Sequence, residues 1–92
     1  MAILDDFRQW LIGKGYKEYT DDGKPSTVCV YVKSIKFICK NENILLDVLI
    51  KNIDTILAKY DIDGEQEEVG QISHATVINA LKRFKEFLED QK

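Results

Sequence analysis

Apolar residues recur every three or four positions in four separate stretches of this chain, a period that suits α-helices rather than strands. Ile3, Phe7, Trp10 and Leu11 mark the first stretch, about Ile3 to Ile12, and Gly13 with Gly15 supplies its stop. A polar loop from Lys14 to Pro25 follows, containing the turn pair Asp22-Gly23. Ser26, next to Pro25, suits an N-cap, and the run behind it predicts a helix from Thr27 to about Glu42. Leu45 to Tyr60 repeats the pattern, with Leu46, Leu49, Ile53, Ile56, Leu57 and Tyr60 as expected core. Asn52 or Asp54 allows that stretch to be one helix or two. Ser73 is expected to cap the last helix, about His74 to Glu89, whose core face is Val77, Leu81, Phe84 and Leu88. Val28-Cys29-Val30-Tyr31-Val32 is the best strand candidate, but it runs straight into a helical pattern. The expectation is an all-α, compact four- to five-helix bundle.

Ninety-two residues fit one domain, taken as residues 1–92. With 45% hydrophobic and 32% charged residues the composition is that of a folded chain, not a disordered one. No apolar run is long enough for a bilayer, and the start lacks the order of a signal peptide. Cys29 and Cys39 lie ten residues apart in one expected helix, too far for a disulfide. Two free thiols point to a reducing, cytoplasmic setting.

The net charge of −3 argues mildly against nucleic acid, but the charge is segregated. Asp61, Asp63, Glu65, Glu67 and Glu68 crowd into a stretch bounded by Gly64 and Gly70, and the rest of the chain is net positive. With little apolar surface, Asp61 to Ile72 reads as a mobile, dispensable acidic loop. On the Thr27 helix, steps of about 100° per residue put Val28, Tyr31, Ile35, Ile38 and Cys39 on one face. Lys33, Lys36 and Lys40 share the opposite face, where they form a solvated stripe or a line of phosphate contacts. On the last helix Thr76, Asn79 and Arg83 project away from the core face, and its N-terminal half suits an approach to DNA. Two apolar strips, Val30 with Phe37 and Ala80 with Phe87, are expected to be covered by neighbouring helices.

The two helices are alike. Thr27-Val28 and Thr76-Val77 each follow a serine, and lysines recur at the same offsets, Lys33 and Lys36 in one, Lys82 and Lys85 in the other.

No constellation of catalytic residues is visible. His74, the one histidine, reads as an exposed first-turn residue with no metal partner at ligand spacing. Placing Gly64 at the sixth position of a calcium loop puts Lys59 first and Gly70 twelfth, and placing Gly23 there puts Cys29 twelfth, residues unsuited to the ion. No cofactor, metal or catalytic residue is expected.

The order of these signals resembles a known family. It comprises the aromatic first helix, Lys14-Gly15-Tyr16, the S-T-V-x-x-Y-x-x-x-I-K-x-I run from Ser26, and S-H-A-T-V-I-N-A-L-K-R-F-K-E-F-L from Ser73. It is similar to the N-terminal SAM-like, or core-binding, domain of tyrosine recombinases and phage integrases, from about Leu4 to Leu88. The resemblance implies a four- or five-helix bundle that clamps duplex DNA together with a C-terminal catalytic domain of the same parent protein. It assigns the DNA-facing roles to the Thr27 and Thr76 helices. Thr27, Lys33, Lys36, Lys40, Thr76, Asn79, Lys82 and Arg83 are therefore the expected DNA-binding residues. The catalytic arginines, histidine and tyrosine belong to the other domain, so this piece is expected to be a non-enzymatic, monomeric fragment. The Asp21 to Pro25 loop, the acidic stretch and the negative net charge depart from the family pattern. A similar module serving a nuclease fits equally, and a helical protein-interaction domain using Val30 and Phe37 or the acidic loop is the competing class.

Overall fold

The computed structural model describes residues 2–91, with the side chains at positions 2, 73 and 74 outside the described set. Ser73 does not cap the last helix, which starts one residue earlier with Gln71 at its N-cap; the expectation that His74 is exposed lies outside the described side chains.

Six helices follow one another among the described residues: α1 (Ala2–Gly13), α2 (Thr27–Glu42), α3 (Leu46–Lys51), α4 (Ile53–Tyr60), α5 (Glu67–Gly70) and α6 (Ile72–Asp90). No strand occurs among them, and the Val28–Val32 run lies inside α2. The architecture is an all-α bundle. It has more pieces than the four or five expected, because the Leu45 to Tyr60 stretch divides and the acidic stretch contains a helical turn.

The division falls at Asn52. Its side-chain amide donates to the Val48 carbonyl at 2.9 Å, while its own carbonyl accepts from the Ile56 amide. Asparagine thus closes α3 and opens α4. Helix α2 has the expected bounds, and its end has an identifiable cause. Asn43 adopts a left-handed φ of 55°, and the Ile44 amide turns back to the Cys39 carbonyl at 3.0 Å.

The core gathers one face of each long helix: Leu4, Phe7 and Leu11 from α1; Val28, Val32, Ile35 and Ile38 from α2; Val77, Ile78, Ala80, Leu81, Phe84 and Phe87 from α6. Leu46, Leu49, Ile56 and Tyr60 close it from α3 and α4. Tyr31, Cys39, Ile53, Leu57, Trp10 and Leu88 are only partly buried at its margin. The α2 core face is therefore rotated slightly toward Val32 and away from Tyr31. Phe7 sits among aromatic rings, 5.0 Å from Phe84 and 5.4 Å from Phe87 between centroids. Such pairs add to plain area burial.

The acidic stretch does not trail free, contrary to the expectation from its composition. Gly70 is buried, and a Cβ there would collide with the Tyr60 carbonyl. Gly64 approaches the carbonyls of Ala58 and Lys59 just as closely, and Val69 packs on the core. The Gln66 amide donates to the Lys59 carbonyl at 2.7 Å. Two glycines let backbone pack on backbone where few apolar side chains are available. Beyond this segment α6 starts at Ile72, and its first turn is bent at Ala75, whose φ is 68°.

Candidate nucleic-acid interface

Helices α2 and α6 form the most extensive pairing in the bundle and cross with opposite chain directions. Residues near the start of α2 face Asn79 and Thr76, and residues farther along face Thr76 and Ile72. Two open depressions lie along this seam. One, about 350 Å³, is lined by Thr20, Pro25, Ser26, Thr27, Val30, Tyr31, Thr76 and Asn79. Its neighbour, about 260 Å³, lies between Val30, Lys33, Ser34 and Phe37 of α2 and Ile72, Thr76 and Val77 of α6. Thr27, Lys33, Thr76 and Asn79, far apart in sequence, thus meet along one edge.

Lys33, Lys36 and Lys40 are all exposed on α2. None of the three has a carboxylate within ion-pair distance among the described residues, although six such pairs occur elsewhere. Their counterparts on α6 differ. Lys82 lies 4.0 Å from Asp61, Lys85 lies 2.6 Å from Asp54, and Arg83 lies 3.3 Å from Glu86. The twin helices carry lysines at matching offsets, yet only those of α2 are left to meet an external anion. Lys82 and Arg83 lie one turn or more beyond Asn79, and each would have to exchange a carboxylate for a phosphate.

No family model matches this chain, and no similar curated protein or solved structure was found.

The tyrosines beside this edge were not among the expected site residues. Tyr31 packs against Tyr16 with ring centroids 6.0 Å apart. Burial, and to a lesser degree Tyr16, raises the Tyr31 hydroxyl above its ordinary pKa, while the nearby Arg83 charge pulls the other way. That phenol therefore stays protonated as a donor at neutral pH. Its position three residues after Val28 on the expected core face hid it among core positions.

The two apolar strips have different fates. Ala80 and Phe87 are covered, as expected, at 0% and 2% exposure. Phe37 remains 41% exposed and Ile72 49% exposed, so the Val30–Phe37 strip is open. Ser34, a buried polar residue, donates its hydroxyl to the Val30 carbonyl at 2.9 Å. The floor of the smaller depression therefore has no unsatisfied hydroxyl at Ser34.

Away from this edge, a polar cluster ties α2 to α4. Tyr60 donates to Glu42 at 2.8 Å, Lys59 donates to the other Glu42 oxygen at 2.7 Å, and Asn41 donates to the Tyr60 hydroxyl at 2.6 Å. Each side chain has a hydrogen-bond partner within the cluster, which suits a fastening between helices. Both cysteines are free, and burial raises the Cys39 thiol above its ordinary pKa. No group of three or more His, Cys, Asp or Glu converges as a metal cage among the described residues. No helix among them is long and apolar enough to cross a membrane.

Proposed function

We propose that this chain is a non-catalytic DNA-binding module that lays the lysine face of α2, and the Thr27–Thr76–Asn79 edge beside it, along the backbone of duplex DNA. The observation that carries this reading is the uneven fate of the basic residues. Lys33, Lys36 and Lys40 share one exposed face without carboxylate partners, while Lys82, Arg83 and Lys85 are engaged. An unpaired row of ammonium groups at helical spacing attracts phosphates, and binding releases counterions. Thr27, Thr76 and Asn79 add neutral donors at the edge of the row, and such groups fix register on a duplex. The likeness in residue order to the core-binding domain of tyrosine recombinases supports the same assignment of α2 and α6. In that setting the module would clasp one side of the duplex while a catalytic domain closes the other. The pair of free thiols fits work in a reducing cytoplasm.

Fluorescence anisotropy with a labelled duplex tests this reading. Affinity falls in the nonspecific range, about 10⁻⁴ to 10⁻⁶ M at physiological salt. Three lysine–phosphate contacts give a log–log salt slope near about −3. Changing Lys33, Lys36 and Lys40 together to glutamate abolishes binding and leaves the helical circular dichroism intact. Binding that survives the triple change, or that ignores salt, contradicts the assignment.

A further inference from the structure

The smaller depression between α2 and α6 has features that phosphate contacts alone do not use. Its walls are apolar, from Val30, Phe37, Ile72 and Val77, and Phe37 and Ile72 are each more than a third exposed. Among the described residues its one charged lining residue is Lys33, and no carboxylate lines it. Lys33 lies four residues before Phe37 and Lys40 three residues after it, so both ammonium groups flank the ring on the same side of α2. Lys36 precedes Phe37 directly and extends the row around the helix.

An exposed ring between unpaired lysines suits an unpaired nucleotide. The lysines hold the phosphates on either side, and the base lies flat on the ring in a dry slot. The slot, about 260 Å³, has room for one base. With the Ser34 hydroxyl already spent on Val30, Thr76 is the one other hydroxyl in the described lining, so stacking on the Phe37 ring carries more of the contact than edge reading and tolerates any base. Charge decides between this occupant and an apolar peptide. Lys33 lines the slot and Lys40 lies one turn beyond its ring, both without a carboxylate partner among the described residues, and a neutral apolar peptide would leave them unanswered.

We infer that the Val30–Phe37–Ile72 depression is a stacking slot for one unpaired nucleobase, with Lys33 and Lys40 on its flanking phosphates. This rests on the nucleic-acid reading above and adds a class of substrate to it: single-stranded or locally opened DNA beside the duplex.

The test compares a labelled oligo-dT of about twelve nucleotides, within the usual site size of single-strand binders, with a duplex of equal length. The intact chain is set against Phe37→Ala, Phe37→Leu and Phe37→Trp. Phe37 is partly exposed, so each variant should keep its helical circular dichroism, which is checked first. We expect Phe37→Ala and Phe37→Leu to weaken oligo-dT binding about tenfold, a loss within the usual range for one stacked base. Phe37→Trp should retain it, and all three should bind duplex within about twofold of the parent chain. Leucine keeps the slot apolar but removes the flat ring. Parent-level binding of oligo-dT by Phe37→Leu therefore overturns the stacking inference. Duplex binding without oligo-dT binding also overturns it, while leaving the duplex reading intact. Failure to bind either nucleic acid sinks both. An acidic amphipathic peptide that binds the parent and not Phe37→Ala, with oligo-dT unbound, would assign the slot to a protein partner instead.

Discussion

Trp10 donates its indole N–H to Asp90 Oδ2 at 2.8 Å, joining the last turns of the first and last helices across nearly the whole chain. Lys14 completes the arrangement, 3.8 Å from the same carboxylate and 5.4 Å above the Trp10 ring. The contact is exposed, so solvent and salt reduce its worth. Asp90→Ala should lower stability by about 0.5–1.5 kcal/mol, the usual net value of one such bond. Acrylamide quenching of the single tryptophan should rise in the variant. Unchanged quenching would mean that the indole is held by packing alone.

Leu81 is fully buried at the centre of α6. Leu81→Ala should cost about 2–5 kcal/mol in denaturant unfolding, from lost burial plus the cavity left behind. A neutral result would remove α6 from the core.

The Tyr60–Glu42–Lys59 cluster predicts how stability follows pH. Burial pushes the Glu42 carboxyl up, but hydrogen bonds from Lys59 and Tyr60 outweigh it and hold the group below its ordinary value. Its contribution is therefore complete above the unfolded pKa, about 4.3, and is lost as pH falls through the lower folded value. Tyr60 works at the other end. Burial foremost, opposed by the hydrogen bond from Asn41 and reinforced by Glu42, pushes its phenol up to about 12. Its contribution holds below the unfolded value near about 10 and is lost as pH rises through the folded one. Glu42→Gln should flatten the acid limb of the unfolding midpoint against pH. An acid limb of unchanged steepness would show that other carboxylates control it.

Much of this architecture could be read from residue order, and the failures have physical causes. The start of helix α2 was legible because Pro25 and Ser26 mark it, and its unbroken period carried the reading on to about Glu42. Its left-handed end at Asn43 carried no comparable signal. Identical reasoning placed Phe37 and Phe87 in secondary apolar strips, yet only Phe87 is covered. Which flank of a helix meets a neighbour depends on how the helices cross, and period does not encode that. Lys33 and Lys82 likewise sit at matching offsets, but only Lys82 finds an acid, from a segment twenty-one positions away in sequence. The acidic stretch misled because its docking relies on glycine backbones, not on apolar side chains.

Gly70 makes that docking testable. Gly70→Ala would drive a methyl group into the Tyr60 carbonyl and should cost about 1–3 kcal/mol. Replacing residues 61–70 with a glycine-serine link should also lower the thermal midpoint measurably. A midpoint unchanged in both variants would restore the picture of a free loop.

The DNA-binding account is tested most directly by titrating the isotope-labelled chain with duplex DNA at low salt and following amide chemical shifts. The account predicts the largest shifts at Thr27, Lys33, Lys36, Lys40, Thr76 and Asn79, shrinking as salt is raised. Shifts confined to the acidic segment, or none at all, would contradict it.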